Sequence, residues 1–232
     1  MPKLLVSVRD VTEACLAWKI GVGIVDVKEP IRGSLGPADS EVLLQIAASA
    51  PPDVHLSAAL GELRDGPDSR AVELPERFQF AKIGLAGCGS DKLWRVAWPK
   101  ALARLPAGIR RVAVGYADWR LAKAPPPTEV TRLGADIGCR AVLVDTYHKQ
   151  HGNLLNHVSL QELTALRQLA ADVQLMFVLA GSLDRKSMRL LDGLNPDYFA
   201  VRGAVCRPDR QGSLNAEQLR TLVRECSQAN CQ

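Results

Sequence analysis

Long apolar runs are missing from this chain of 232 residues: none approaches the roughly 20 uncharged apolar residues that a bilayer-spanning helix needs. The N-terminal Met1-Pro2-Lys3-Leu4-Leu5-Val6 runs into charge at Arg9-Asp10, which speaks against a targeting segment. A soluble, cytoplasmic protein with no membrane partner is expected. The six cysteines, Cys15, Cys88, Cys139, Cys206, Cys226 and Cys231, never stand as Cys-x-x-Cys or Cys-x-x-His. Neither a zinc site nor a redox motif is indicated, thiols are expected reduced, and no metal or cofactor is called for. Aromatic residues make up only 5% of the chain, and no segment interleaves them with a dense basic run, so nucleic acid is not an expected partner. A domain boundary, a low-complexity tract and an internal repeat are all lacking as well.

What the chain has is enough apolar material for one large core, 47% of its residues, at a length that barrels of about 250 residues fill as one domain. Its net charge of +4 is slight but suits a small anionic substrate, and a homo-oligomer is compatible with everything above. Short β-branched runs recur between segments of helical period, the pattern of a parallel sheet. Strands are expected at Lys3–Val8, Gly23–Lys28, Val54–Ala58, Phe78–Leu85, Arg111–Tyr116, Ala141–Thr146, Val173–Ala180 and Asp197–Arg202. Helices are expected at Thr12–Lys19, Ser40–Ala48, Asp91–Ala103, Thr128–Leu133, Leu160–Ala170, Asp184–Leu191 and Asn215–Arg224. The segment Gly61–Arg77 is rich in charge, Gly and Pro, and leaves room only for a short helix around Ser69–Leu74. Eight strands also build open doubly wound sheets. The alternation in Ile24-Val25-Asp26-Val27-Lys28 favours a closed α/β barrel, a (β/α)8 TIM barrel, because Val25 and Val27 share one face while Asp26 and Lys28 share the other.

In such a barrel, catalytic groups sit at the C-terminal ends of strands. Asp26, Lys28, Lys82 and Asp145 fall there, and Lys149 follows closely. Two neighbouring lysines lower one another's pKa, and a neutral amine attacks a carbonyl to form an iminium, a Schiff base that acidifies the adjacent carbon. By spacing alone, however, these lysines read somewhat better as strand-end charges paired with Asp26 and solvent. Gly181-Ser182 and Arg202-Gly203 follow the last two strands, where barrels bind phosphate through backbone amides. Gly33-Ser34, after Lys28, reads as a second anion site or a flap. His148 and His151 read as rim residues, Cys206 as an inert thiol, and Tyr116-Ala117-Asp118 as either a substrate-orienting group or a cap. These features fit a Schiff-base aldolase or isomerase of triose or pentose phosphates, or a non-catalytic phosphosugar-binding barrel.

Taken in order, Asp26-Val27-Lys28-Glu29-Pro30, Gly33-Ser34-Leu35-Gly36, Lys82-Ile83-Gly84-Leu85, Gly115-Tyr116-Ala117-Asp118, Asp145-Thr146, Ala180-Gly181-Ser182 and Val201-Arg202-Gly203-Ala204-Val205-Cys206 closely resemble one family. It is the (5-formylfuran-3-yl)methyl phosphate synthase family of methanofuran biosynthesis. The resemblance implies a (β/α)8 barrel and a lyase-type condensation of two glyceraldehyde 3-phosphate molecules with release of one phosphate and water. By motif, Lys28 matches the Schiff-base lysine and Lys82 the proton-accepting lysine. Asp26, Asp145 and Lys149 match the supporting residues. The chain departs from the pattern at Gly61–Arg77, at Tyr147-His148, and at Arg207-Pro208-Asp209-Arg210.

Overall fold

The computed structural model describes residues 2–66, 71 and 73–228. Its strands β1 (Lys3–Val8), β2 (Ile24–Val27), β3 (Leu56–Glu62), β4 (Phe80–Gly84), β5 (Arg110–Tyr116), β6 (Ala141–Asp145), β7 (Met176–Leu179) and β8 (Tyr198–Val201) run parallel and close into a barrel, β8 pairing back to β1. Between them lie α1 (Val11–Ile20), α2 (Ser40–Ser49), α3 (Trp94–Leu102), α4 (Pro127–Asp136), α5 (Leu160–Asp172) and α6 (Arg185–Leu191), and α7 (Ala216–Gln228) follows β8. The short helix expected around Ser69–Leu74 lies largely outside the described residues.

Strand alternation sorts the apolar side chains into two layers. Val25, Val27, Ile46, Trp98 and Phe177 belong to the layer between strands and helices, whereas Leu5, Ile24, Phe80, Val112 and Leu143 fill the barrel's interior. Each fully buried side chain of this size contributes about 1.5–3 kcal/mol relative to exposure. The indole of Trp98, the largest fully buried side chain, donates to the Ile83 carbonyl at 3.1 Å, so its one polar atom is satisfied. Polar residues break the apolar pattern at one end. Ser7, Asp26 and Ser57 lie side by side across β1, β2 and β3, and Lys82 and Asp145 are buried on β4 and β6.

Three local departures from expectation have physical causes. Strand β3 continues past Ala58 to Glu62 because Gly61, at φ +92°, permits a shift in register against β4, and the Glu62 carboxylate is then tied down by the Tyr116 hydroxyl at 2.6 Å and the Ala86 amide at 2.8 Å. Strand β7 starts only at Met176, since α5 runs on to Asp172 and the chain turns through Gln174 in a left-handed conformation. The segment after β8 forms an unanticipated hairpin, β9 (Cys206–Arg207) pairing antiparallel with β10 (Ser213–Leu214).

Candidate active site

A cavity of about 230 Å³ opens at the C-terminal ends of the strands, and Asp26, Lys28, Lys82, Asp145 and Lys149 all line it. The four groups named from strand-end position and Lys149 thus meet in one space. They divide into two ion pairs and one lysine without a carboxylate of its own. The Lys82 ammonium pairs with Asp26 and also donates to the Ser57 hydroxyl at 3.1 Å, while Ser7 donates to the other Asp26 oxygen at 3.2 Å. The Lys149 ammonium pairs with Asp145, whose carboxylate also accepts from the Thr146 amide at 2.8 Å. Lys28, only 8% exposed, donates to the Ser34 carbonyl at 3.3 Å.

This arrangement sets the protonation of Lys28. Burial lowers its pKa to about 8, Lys149 and Lys82 push in the same direction, and Asp145 and Asp26 oppose them. The expected cause, repulsion by Lys82, is real but is the smallest contribution. Desolvation leads, and the stronger like charge is Lys149, because Lys82 is drawn aside to Asp26 and Ser57. At pH 7 a pKa near 8 leaves about a tenth of the amine neutral, about 300-fold more than for an ordinary lysine. For Asp145, burial acts to raise the pKa, but Lys149 and Lys28 overcome it and hold the carboxyl below its usual range. Burial also lowers the Lys149 pKa, against the pull of Asp145.

The expected anion-binding residues separate into two groups. Gly181, Ser182 and Gly203 line the same cavity as the lysines, with Gly181 and Ser182 both at positive φ. Among the described residues, the amides of Gly181, Ser182, Gly203 and Ala204 have no acceptor, so four donors are left for a ligand. Successive amides in such a turn form a concavity suited to anions. Arg202 and Ser34 are engaged otherwise. All five N–H groups of Arg202 are taken: Nε by the Arg210 carbonyl at 2.6 Å, and the rest by the Ser7 and Gly212 carbonyls and both oxygens of Glu13. Its guanidinium is a structural fastener for the β9–β10 hairpin, with no N–H left over for a phosphate. The Ser34 hydroxyl lies 3.0 Å from the Thr146 carbonyl and 3.2 Å from Asp145, and fixes the loop after β2 across the barrel mouth. Gly33 and Ser34 border a separate outer groove of about 500 Å³.

Two contributors, both serines, escaped sequence reading. Ser7 and Ser57 orient the Asp26–Lys82 pair, and the signal was available: each is polar at an inward-facing position of an apolar strand. Asp118 accepts from the Tyr147 and His148 amides at 2.7 and 2.8 Å, so it holds the distant loop that carries Lys149 rather than the segment that follows it. The His148 and His151 rings stack at 5.3 Å beside that loop, and His148 lines the outer groove. Burial pushes the Cys206 thiol up to about 11, in keeping with an inert thiol. Arg210, on the hairpin tip, lines both the central cavity and the outer groove.

The chain is similar to known proteins over nearly its whole length. The (5-formylfuran-3-yl)methyl phosphate synthase of Methanosarcina mazei is 31% identical, with 97% of this chain and 99% of that protein covered. The enzyme of the same name from Methanopyrus kandleri is 32% identical over 96% and 98%. Among solved structures, phosphoribosyl anthranilate isomerase from Thermus thermophilus superposes with a TM-score of 0.66 over 98% of this chain and 99% of that one, at 16% identity, a likeness of fold alone. The pattern of the 4-HFC-P synthase family matches residues 4–223, and the chain belongs to that family.

Proposed function

We propose that this protein is a lyase-type synthase that condenses two molecules of glyceraldehyde 3-phosphate into (5-formylfuran-3-yl)methyl phosphate, with loss of one phosphate and two molecules of water, in the formation of methanofuran or an analogue of it. The observation that carries the reading is the Lys28 amine, buried, lowered to a pKa of about 8 and flanked by two lysine–aspartate pairs in a single cavity. A neutral Lys28 adds to a carbonyl carbon and a proton passes from nitrogen to oxygen to give a carbinolamine; a second proton, donated to its hydroxyl by a neighbouring lysine ammonium of the cavity, lets water leave and gives the iminium. Electron withdrawal by the iminium then releases a proton from the adjacent carbon. The Lys82–Asp26 pair on β4 and β2 is suited to take up that proton, and Asp145–Lys149 to move protons on the other side of the ligand. General acid–base help of this kind is worth typically about 10²- to 10⁴-fold. Four unpaired amides after β7 and β8 support phosphate binding at the far end of the substrate.

The names carried by the relatives, synthases of the same furan phosphate, support this choice over a general Schiff-base aldolase. Product chemistry tests it. Incubation with glyceraldehyde 3-phosphate is expected to generate a strong near-ultraviolet furan band together with inorganic phosphate. An aldol product without that band, formed while triose phosphate is consumed, would refute it.

A further inference from the structure

The central cavity, at about 230 Å³, is smaller than the about 300–1,000 Å³ of ordinary small-molecule sites, yet the proposed reaction joins two phosphorylated trioses. The outer groove beside it, about 500 Å³, is bordered by Pro30, Ile31, Tyr147, His148 and the hairpin tip. Two cationic side chains, Lys149 and Arg210, belong to both spaces. Lys149 is already paired with Asp145. The Arg210 guanidinium is not paired: among the described residues no carboxylate lies within ion-pair distance, and its only hydrogen bond is from Nη1 to the Pro30 carbonyl at 3.2 Å. Its Nε and Nη2 donors are therefore unused in a half-buried position, where a charge is costly unless an anion meets it. Asp209, the acidic residue of the same wall, has one of its carboxylate oxygens accepting from the Gln211 amide at 2.7 Å.

The hairpin is built to hold Arg210 there. Arg202, buried and bonded to both oxygens of Glu13, donates to the Arg210 and Gly212 carbonyls, and Arg9 donates to the Gln211 carbonyl at 2.9 Å. The tip is thus clamped from below at three successive residues while the Arg210 side chain faces the two cavities. We infer that Arg210 binds the phosphate of the second triose, the one that enters through the outer groove after the first is held on Lys28. The inference rests on the synthase reading and adds to it a subsite and its recognition group. A guanidinium grips two phosphate oxygens at once, which orients the incoming aldehyde as well as attracting it.

The test compares wild-type protein with Arg210→Gln and Arg210→Lys at varied glyceraldehyde 3-phosphate. Two readouts are taken: the borohydride-trapped adduct on Lys28, which reports the first triose, and furan absorbance, which requires the second. In Arg210→Gln the concentration needed for half-maximal furan formation is expected to rise about ten- to a hundredfold, the loss typical of a charge-assisted contact, while the trapping curve stays in place. Arg210→Lys, keeping charge but not the fork, is expected to fall between the two. The backbone clamp uses the Arg210 carbonyl, which both variants retain. Equal shifts of both curves, or no shift of the furan curve in either variant, would overturn the assignment. A wild-type protein that traps the triose but makes no furan would overturn the synthase reading and this subsite with it, an outcome distinct from failure at Arg210, which leaves wild-type furan formation intact.

Discussion

A single amine carries the chemical argument at the scale of the residue. Lys28 is nearly cut off from water, and desolvation leads the contributions that lower its pKa to about 8. The reacting form is the neutral one, so trapping of a carbonyl ligand by borohydride is expected to quicken about tenfold per pH unit below pH 8 and to level off above it. A rate that is flat between pH 6 and pH 8 would contradict a lowered amine as the limiting group. Folding is linked to the same proton with a definite sign. Because the folded pKa lies below the unfolded value of about 10.5, the unfolded chain binds the extra proton between these values, and stability gains with rising pH across that window. Compared with Lys28→Met, which has nothing to ionise at this position, wild-type protein is expected to gain relative stability from pH 8 to pH 10 by urea denaturation; a constant difference would show that burial does not perturb Lys28.

Elements position these groups, and at this scale the strand ends were more legible than the loops. Asp26 and Lys28 could be read as inward-facing because Val25 and Val27 alternate with them, and those valines do lie in the outer apolar layer. Alternation carries no such information after a strand ends. Arg202 and Arg210 are both arginines beyond β8, and sequence alone favoured the one next to a glycine. Which guanidinium has donors to spare depends on Glu13, which is 189 residues away from Arg202 in sequence, and on a hairpin whose strands are only two residues long. Gly61 illustrates the converse failure: it resembles a loop residue, yet serves as the bulge that lets β3 carry Glu62 to Tyr116. Removing a carboxylate from a buried ion pair strands the remaining charge, at a cost of about 3–5 kcal/mol. Glu13→Ala is therefore expected to lower stability by about that amount in denaturant titration and to increase proteolysis at residues 206–214. A loss below about 1 kcal/mol would assign Arg202 and Glu13 the small value of an exposed pair.

For the whole molecule, the closed barrel gathers residues from distant parts of the chain at one mouth: β2 brings Asp26, β4 brings Lys82, and β6 brings Asp145. The repeating pattern of strand and helix made this architecture readable, since each strand needs apolar cover on both faces. Less readable was the way charges pair inside it, because register and shear decide which lysine meets which aspartate. Lys82 takes Asp26, Lys149 takes Asp145, and Lys28 is left with a carbonyl contact and a reactive nitrogen. That division of labour is the central claim, and reduction of the protein with borohydride in the presence of glyceraldehyde 3-phosphate, followed by peptide mass analysis, tests it most directly. One triose-derived mass increment is expected on the peptide carrying Lys28 and none on those carrying Lys82 or Lys149. An increment on either of those lysines with Lys28 unmodified would contradict it.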